Sequence, residues 1–179
     1  MFSEPVITPE DHVLGPADAP VTVLEYGDYE CPYCRGAYRD VHRMLDEYPA
    51  QVRFVFRNFP ITQVHPHAEQ AAEAAEAAGA QGKFWEMYEL LLRTSASLDI
   101  DALIGYADRL GLDTGRFENE VRGNVYAARI EGDVSEGVRN GVNQTPKFYV
   151  DGVRIDGKVP LEGLAAAVRT AVQKAAAGG

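Results

Sequence analysis

Two cysteines, Cys31 and Cys34, are the only ones in this 179-residue chain, and they stand in the segment Cys31-Pro32-Tyr33-Cys34. A disulfide between them would close a very short loop. It would remove little entropy from the unfolded chain and stabilise little. Structural frameworks use several widely spaced cysteines instead, so this pair reads as chemistry. One sulfur can attack a disulfide as the thiolate, and the second, a turn away, can resolve the mixed disulfide. A zinc site would need two further ligands. The close pair His65 and His67 flanks Pro66, and no second cysteine pair helps it. The expected cofactor is therefore none beyond the redox-active disulfide itself.

The elements around the motif position it. Residues 21–26, Val-Thr-Val-Leu-Glu-Tyr, predict a buried strand. Ala37, Val41, Met44, Leu45 and Tyr48 then recur at helical spacing, and Pro49 closes the helix. Cys31 thus falls at a strand-to-helix junction, where first-turn amides favour the thiolate. Pro32 suits the first turn, where a missing N–H costs little. Residues 52–57 predict a second strand, which completes a βαβ unit with parallel strands.

From residue 66 to residue 140 the pattern is helical. A small-residue stripe of Ala68, Ala71, Ala72, Ala75 and Ala78 is interleaved with Glu69, Glu73 and Glu76, which suit a solvated face. Phe84, Met87 and Leu91, then Leu103, Tyr106 and Leu110, supply further apolar faces. Gly111 and residues 113–117 read as a break before a last helix, with Val125, Ile130, Val134 and Val138 on one face. Residues 147–150 predict a strand, Asp151-Gly152 a hairpin turn, and residues 153–155 the returning strand. Pro160 opens a final helix carrying Leu161, Leu164, Val168 and Val172. The first 19 residues read as a polar arm.

The chain resembles the DsbA branch of the thioredoxin superfamily. The resemblance is carried by Glu25-Tyr26-Gly27-Asp28-Tyr29-Glu30 leading into the cysteine motif, by Arg57-Asn58-Phe59-Pro60 and His65-Pro66, by residues 79–85, and by Gly141-Val142-Asn143-Gln144-Thr145-Pro146. It implies an α/β thioredoxin fold, βαβ and ββα around a central sheet, with an inserted all-helical subdomain. The expected division is an arm at 1–10, the thioredoxin-fold domain at 11–64 and 141–176, and the helical insertion at 65–140. The resemblance further implies a cis peptide bond at Thr145-Pro146, packed against the active-site sulfurs, with the Thr145 backbone open to an extended substrate. Glu25, six residues before Cys31, is expected as a buried carboxylate that exchanges a proton with the resolving thiol. The expected catalytic set is Cys31, Cys34 and Glu25, and the expected substrate-binding set is Pro32, Tyr33, Thr145 and Pro146. DsbA-type oxidases often carry His where Tyr33 stands, and a phenol has no positive charge with which to stabilise a thiolate. Asp28, Glu30 and Arg35 are expected to tune the motif electrostatically, and His65 and His67 to fix the entry to the helical insertion.

Seventeen basic residues face 27 acidic ones, a formal net charge of −10. That excludes the basic surface which nucleic acid or an anionic membrane would require. No run approaches the ~18 apolar residues of a membrane-spanning helix. Acids and prolines near the start do not form a signal peptide, so a cytoplasmic location is expected, the alternative being an exported mature form with its leader removed. Expected partners are protein or peptide thiols and disulfides and a redox partner, with no nucleic acid and no membrane insertion, and the chain is expected to be a monomer. Two rivals are a redox-independent peptide-binding or chaperone-like module on the same fold, and a glutathione-linked transferase of the kappa type. The latter usually has serine in place of Cys31.

Overall fold

The computed structural model describes residues 4–93, 97–156 and 160–178. Its elements in chain order are β1 (His12–Leu14), β2 (Val21–Gly27), α1 (Pro32–Glu47), β3 (Val52–Asn58), α2 (Ala68–Gly79), α3 (Phe84–Arg93), α4 (Ile100–Arg109), α5 (Thr114–Arg122), α6 (Ala127–Arg139), β4 (Lys147–Val150), β5 (Val153–Arg154) and α7 (Pro160–Ala177). The strands form one sheet in the order β1-β3-β2-β4-β5. β2 and β3 run parallel, Val21 opposite Val52 and Gly27 opposite Asn58. β4 joins β2 antiparallel, and β5 joins β4 across a turn in which Asp151 and Gly152 both have positive φ. The expected βαβ and ββα halves thus share one sheet.

Strand periodicity sorts β2 between two layers. Leu24 and Tyr26 join a smaller cluster with Val55, Phe59, Val142 and Tyr149. Val21 and Val23 face the main core with Phe54, Phe56 and the buried residues of α1, α2 and α3. Glu25 shares the parity of Val21 and Val23. The alternation therefore drives a carboxylate into the core beneath α1.

Several expectations change. The arm contributes β1, which pairs antiparallel with β3, His12 opposite Phe56. Three residues are too few to show a period. The expected break at 113–117 is instead the start of α5, whose Asp113 caps it by accepting the Arg116 backbone N–H at 2.9 Å. Glu73 and Glu76 do not line a solvated face: they are 0% and 4% exposed. Glu76 accepts from Asn58 Nδ2 at 2.8 Å, contacts His12 Nε2 at 3.0 Å and pairs with Arg129 at 3.1 Å. Polar partners supplied by β1, β3 and α6 make that burial tolerable, and none of them is visible in the helix's own sequence. Val125 precedes α6 and is exposed, as is Val138, so Ile130 is the anchor of that helix. Leu164 and Val168 of α7 are buried as expected, while the side chain of Leu161 lies outside the described residues.

Candidate active site

Cys31 is the N-cap of α1 and Pro32 its first residue. An extended backbone at Cys31 (φ −67°, ψ 122°) turns the end of β2 into the helix. The turn is organised by Asp28, which is 1% exposed. Its Oδ1 accepts the backbone N–H groups of Glu30 at 2.8 Å and Cys31 at 3.2 Å. Its Oδ2 accepts the Ile61 N–H at 2.8 Å and meets His65 Nδ1 at 2.8 Å. Expected to tune the motif from outside, Asp28 is instead a buried scaffold for it. Beside it, Glu30 accepts the His67 backbone N–H at 2.7 Å and meets the His67 ring at 3.0 Å. Arg35 donates from Nε to the Tyr29 carbonyl at 3.0 Å. The two histidines therefore tie the loop after β3 to the residues ahead of the cysteines.

Both cysteines are free thiols in this structure. Cys31 is 3% exposed, whereas Tyr33, between the two, is 75% exposed. From across the sheet, the Thr145 carbonyl accepts from Cys31 Sγ at 3.5 Å. The Thr145-Pro146 bond is cis, and the Thr145 hydroxyl is buried with no hydrogen-bond partner of its own. The Asp28 backbone N–H points at Cys34 Sγ, 3.4 Å away. The structure thus brings Cys31, Cys34, Thr145 and the start of α1 together, with Glu25 buried on the core side.

The two sulfurs differ in acidity. Cys31 is pulled down to about 5, chiefly by the hydrogen bond from the Cys34 thiol. The Cys34 and Tyr33 backbone amides add to this against the cost of burial. Cys34 is pushed well above the ordinary thiol range by burial, by its donation to Cys31 and by the nearby Glu25 charge. Glu25 is raised to about 8, first by burial and then by the Cys31 charge. Its Oε1 has no hydrogen-bond partner. Gly27 leaves room for this arrangement, since a Cβ there would overlap the Phe56 ring and lie 3.0 Å from Glu25 Oε1. Among the described residues, no cluster of three or more His, Cys, Asp or Glu side chains could hold a metal.

The motif residues were accessible from spacing. Asp28 was not, because an acid three residues before a helix cap looks like any loop acid until its four donors are placed. Tyr29, Tyr38 and Tyr88, all buried near the sulfurs, carried no signal beyond aromatic core.

Residues 7–170 match a protein-family model described as thioredoxin. Among curated proteins, the chain is 48% identical over 167 residues to the Na(+)/H(+) antiporter NhaA 1 of Salinispora arenicola, covering 93% of this chain and 26% of that protein. A similar antiporter of Salinispora tropica is 47% identical over 171 residues, covering 96% and 26%. The chain therefore spans about a quarter of the length of the curated relatives it matches. No helix among the described residues is long and apolar enough to cross a membrane. Among solved structures, a thioredoxin-like oxidoreductase from Silicibacter pomeroyi superposes with a TM-score of 0.81 at 33% identity, covering 93% of this chain and 94% of that one. BdbD from Bacillus subtilis superposes with a TM-score of 0.84 at 23% identity, covering 96% and 97%, a likeness of fold. The chain belongs to the thioredoxin family, and its mixed five-stranded sheet with helices between β3 and β4 is the DsbA-like form of that fold.

Proposed function

We propose that this chain exchanges disulfides with protein or peptide substrates, with Cys31 as the exchanging sulfur and Cys34 as the resolving one. The observation that carries this reading is the opposed acidity of two sulfurs one helical turn apart, Cys31 lowered to about 5 and Cys34 raised. At neutral pH Cys31 is a nucleophile and leaving group, while the Cys34 thiol keeps its proton until needed. In the reducing direction the Cys31 thiolate attacks a substrate S–S bond, forms a Cys31–substrate disulfide and expels one substrate thiolate. Cys34 then loses its proton to Glu25 in its ionised form, the minor form at neutral pH for a group held near about 8, attacks Cys31 Sγ and releases the second substrate thiolate. The substrate gains two electrons and the Cys31–Cys34 pair is left as a disulfide. Oxidation of a substrate dithiol is the same sequence reversed. Thr145 and Pro146, beside Cys31, would receive the substrate backbone, and exposed Pro32 and Tyr33 its side chains.

On direction, a lowered Cys31 pKa stabilises the dithiol form relative to the disulfide, which makes the pair more oxidising. We therefore place this chain on the oxidising side, acting on substrate thiols with a separate partner to reoxidise it. Ion transport is no part of the proposal.

Three forms of the chain test it. Cys31→Ser should lose exchange with dithiol and disulfide peptides, and Cys34→Ser should accumulate mixed disulfides at Cys31. Undiminished exchange by Cys31→Ser would overturn the reading. Peptide binding that persists unchanged after alkylation of Cys31, without any exchange by the unmodified chain, would favour a redox-independent binding module.

A further inference from the structure

Among the described residues, nine buried side-chain nitrogen or oxygen atoms have no hydrogen-bond partner. Five of them fall along one path that begins at the candidate active site: Glu25 Oε1, Tyr29 OH, Tyr88 OH, Tyr38 OH and His42 Nε2. A buried polar atom without a partner is costly. Neighbouring polar atoms in a core are ordinarily satisfied together by internal water.

Helix periodicity builds the path. Cys34, Tyr38 and His42 stand four residues apart and line one face of α1, a row about 12 Å long. α1 packs on α3, whose Tyr88 ring lies 6.1 Å from that of Tyr38 and 6.2 Å from that of Tyr29. The His42 ring lies 4.3 Å from Tyr38. Glu25, Tyr29, Tyr38 and Tyr88 are each no more than 4% exposed. The outer end is His42, half-buried and facing Glu89 and Arg93 of α3 and Asp46 of α1. At the inner end, Tyr88 is faced by Glu25, Tyr29, Cys34 and Tyr38.

We infer that Tyr29, Tyr88, Tyr38 and His42, bridged by internal water, carry the proton of Glu25 between the sulfurs and bulk solvent. The inference rests on the reading of Glu25 as proton acceptor for Cys34. A substrate held on Cys31 covers the outer end of the motif at the moment Glu25 must exchange its proton. The seam between α1 and α3 leads away from that end. The proton leaves Cys34, passes to the Glu25 carboxylate, moves along the hydroxyls and is released at His42, and no electrons move with it. In the oxidising direction it enters by the same route. These four are relay and positioning residues; none touches substrate.

The test is stopped-flow reaction of the reduced chain with an aromatic disulfide whose released thiolate is coloured, so that attack by Cys31 and resolution by Cys34 appear as two phases. In Tyr88→Phe and Tyr38→Phe the first phase should be unchanged and the second about tenfold slower, a modest share of an acid–base contribution. Glu25→Gln should slow the second phase at least as much. In the unsubstituted chain, the second-phase rate should fall along a curve as deuterium replaces hydrogen in the solvent, because several protons move. Wild-type resolution in both Phe variants, with Glu25→Gln slow, overturns the relay and leaves the role of Glu25 standing. Wild-type resolution in Glu25→Gln overturns both. The deuterium experiment needs no substitution, so it decides even if a Phe variant fails to fold, and a straight-line dependence overturns the relay.

Discussion

His65 meets Asp28 Oδ2 through Nδ1 at 2.8 Å, while the other oxygen of Asp28 accepts the backbone N–H of Cys31 at 3.2 Å. One buried carboxylate therefore fixes both the loop after β3 and the helix cap that holds the Cys31 sulfur. A carboxylate can only accept, and all four of its partners donate.

Asp28→Asn puts that complementarity at risk. The amide keeps the shape but turns an NH2 group toward N–H donors. The substitution should cost about 1–3 kcal/mol, the range for a buried donor left unmet. Urea unfolding of the oxidised chain at neutral pH measures it. His65→Ala, which removes one partner from a site that keeps three, should cost less.

Cys31 should titrate with a midpoint near 5, and Cys34 should not titrate in the same range. Thiolate absorbance of the reduced chain, compared with Cys31→Ser, reads this directly. Folding holds the Cys31 thiol at about 5, below the ordinary thiol value of 9.0. The stabilisation of the dithiol form is full above the unfolded thiol value and is lost as pH falls through about 5. Reduced chain should therefore gain stability over oxidised chain as pH rises from about 5 toward 9, measured by paired denaturation curves.

What the sequence made legible follows from range. Alternation along β2, helical spacing after Pro32 and the Asp151-Gly152 turn are local, and each appears where its pattern puts it. The Thr145-Pro146 pair is distant from the motif along the chain, and Glu25 is only six residues from it, yet the role of each comes through resemblance and not through spacing. Glu73, Glu76 and Asp28 were misjudged for one reason. An acid in a polar pattern looks solvated, and only its partners in the fold show that it is buried: β1, β3 and α6 for Glu76, the Tyr126 N–H for Glu73, and Ile61 and His65 for Asp28. β1 was missed because its pairing energy lies in β3, 40 residues away.

Arg57 is another charge the pattern hid. It is 2% exposed, with both oxygens of Asp11 at 2.7 Å, Glu136 at 2.8 Å, the Tyr26 hydroxyl at 3.1 Å and the Val6 carbonyl at 2.6 Å. One planar fork thus joins the arm, β2, β3 and α6. Arg57→Met should cost about 3–5 kcal/mol, because it strands the buried carboxylate of Asp11. Arg57→Lys should recover only part of that, since an ammonium cannot reproduce the fork. Thermal and urea unfolding of both variants check the order.

Glu25 gives the opposite pH signature to Cys31. Its folded value of about 8 lies above the ordinary carboxyl value of 4.5, because burial disfavours the carboxylate. Between these values the folded chain holds a proton that the unfolded chain has released. The contribution of Glu25 is therefore fully present below the unfolded value and is lost as pH rises through about 8. Glu25→Gln cannot ionise and removes this dependence. Compared at pH 5 the variant and the wild type should differ little, and at pH 9 the variant should be the more stable by about a few kcal/mol. The comparison belongs to the oxidised chain, in which the Cys31 charge is absent and burial, the larger cause, remains. A wild-type stability that rises from pH 5 to pH 9 relative to Glu25→Gln would mean that the carboxylate is solvated when ionised, and Glu25 could not then serve as the buried proton acceptor for Cys34.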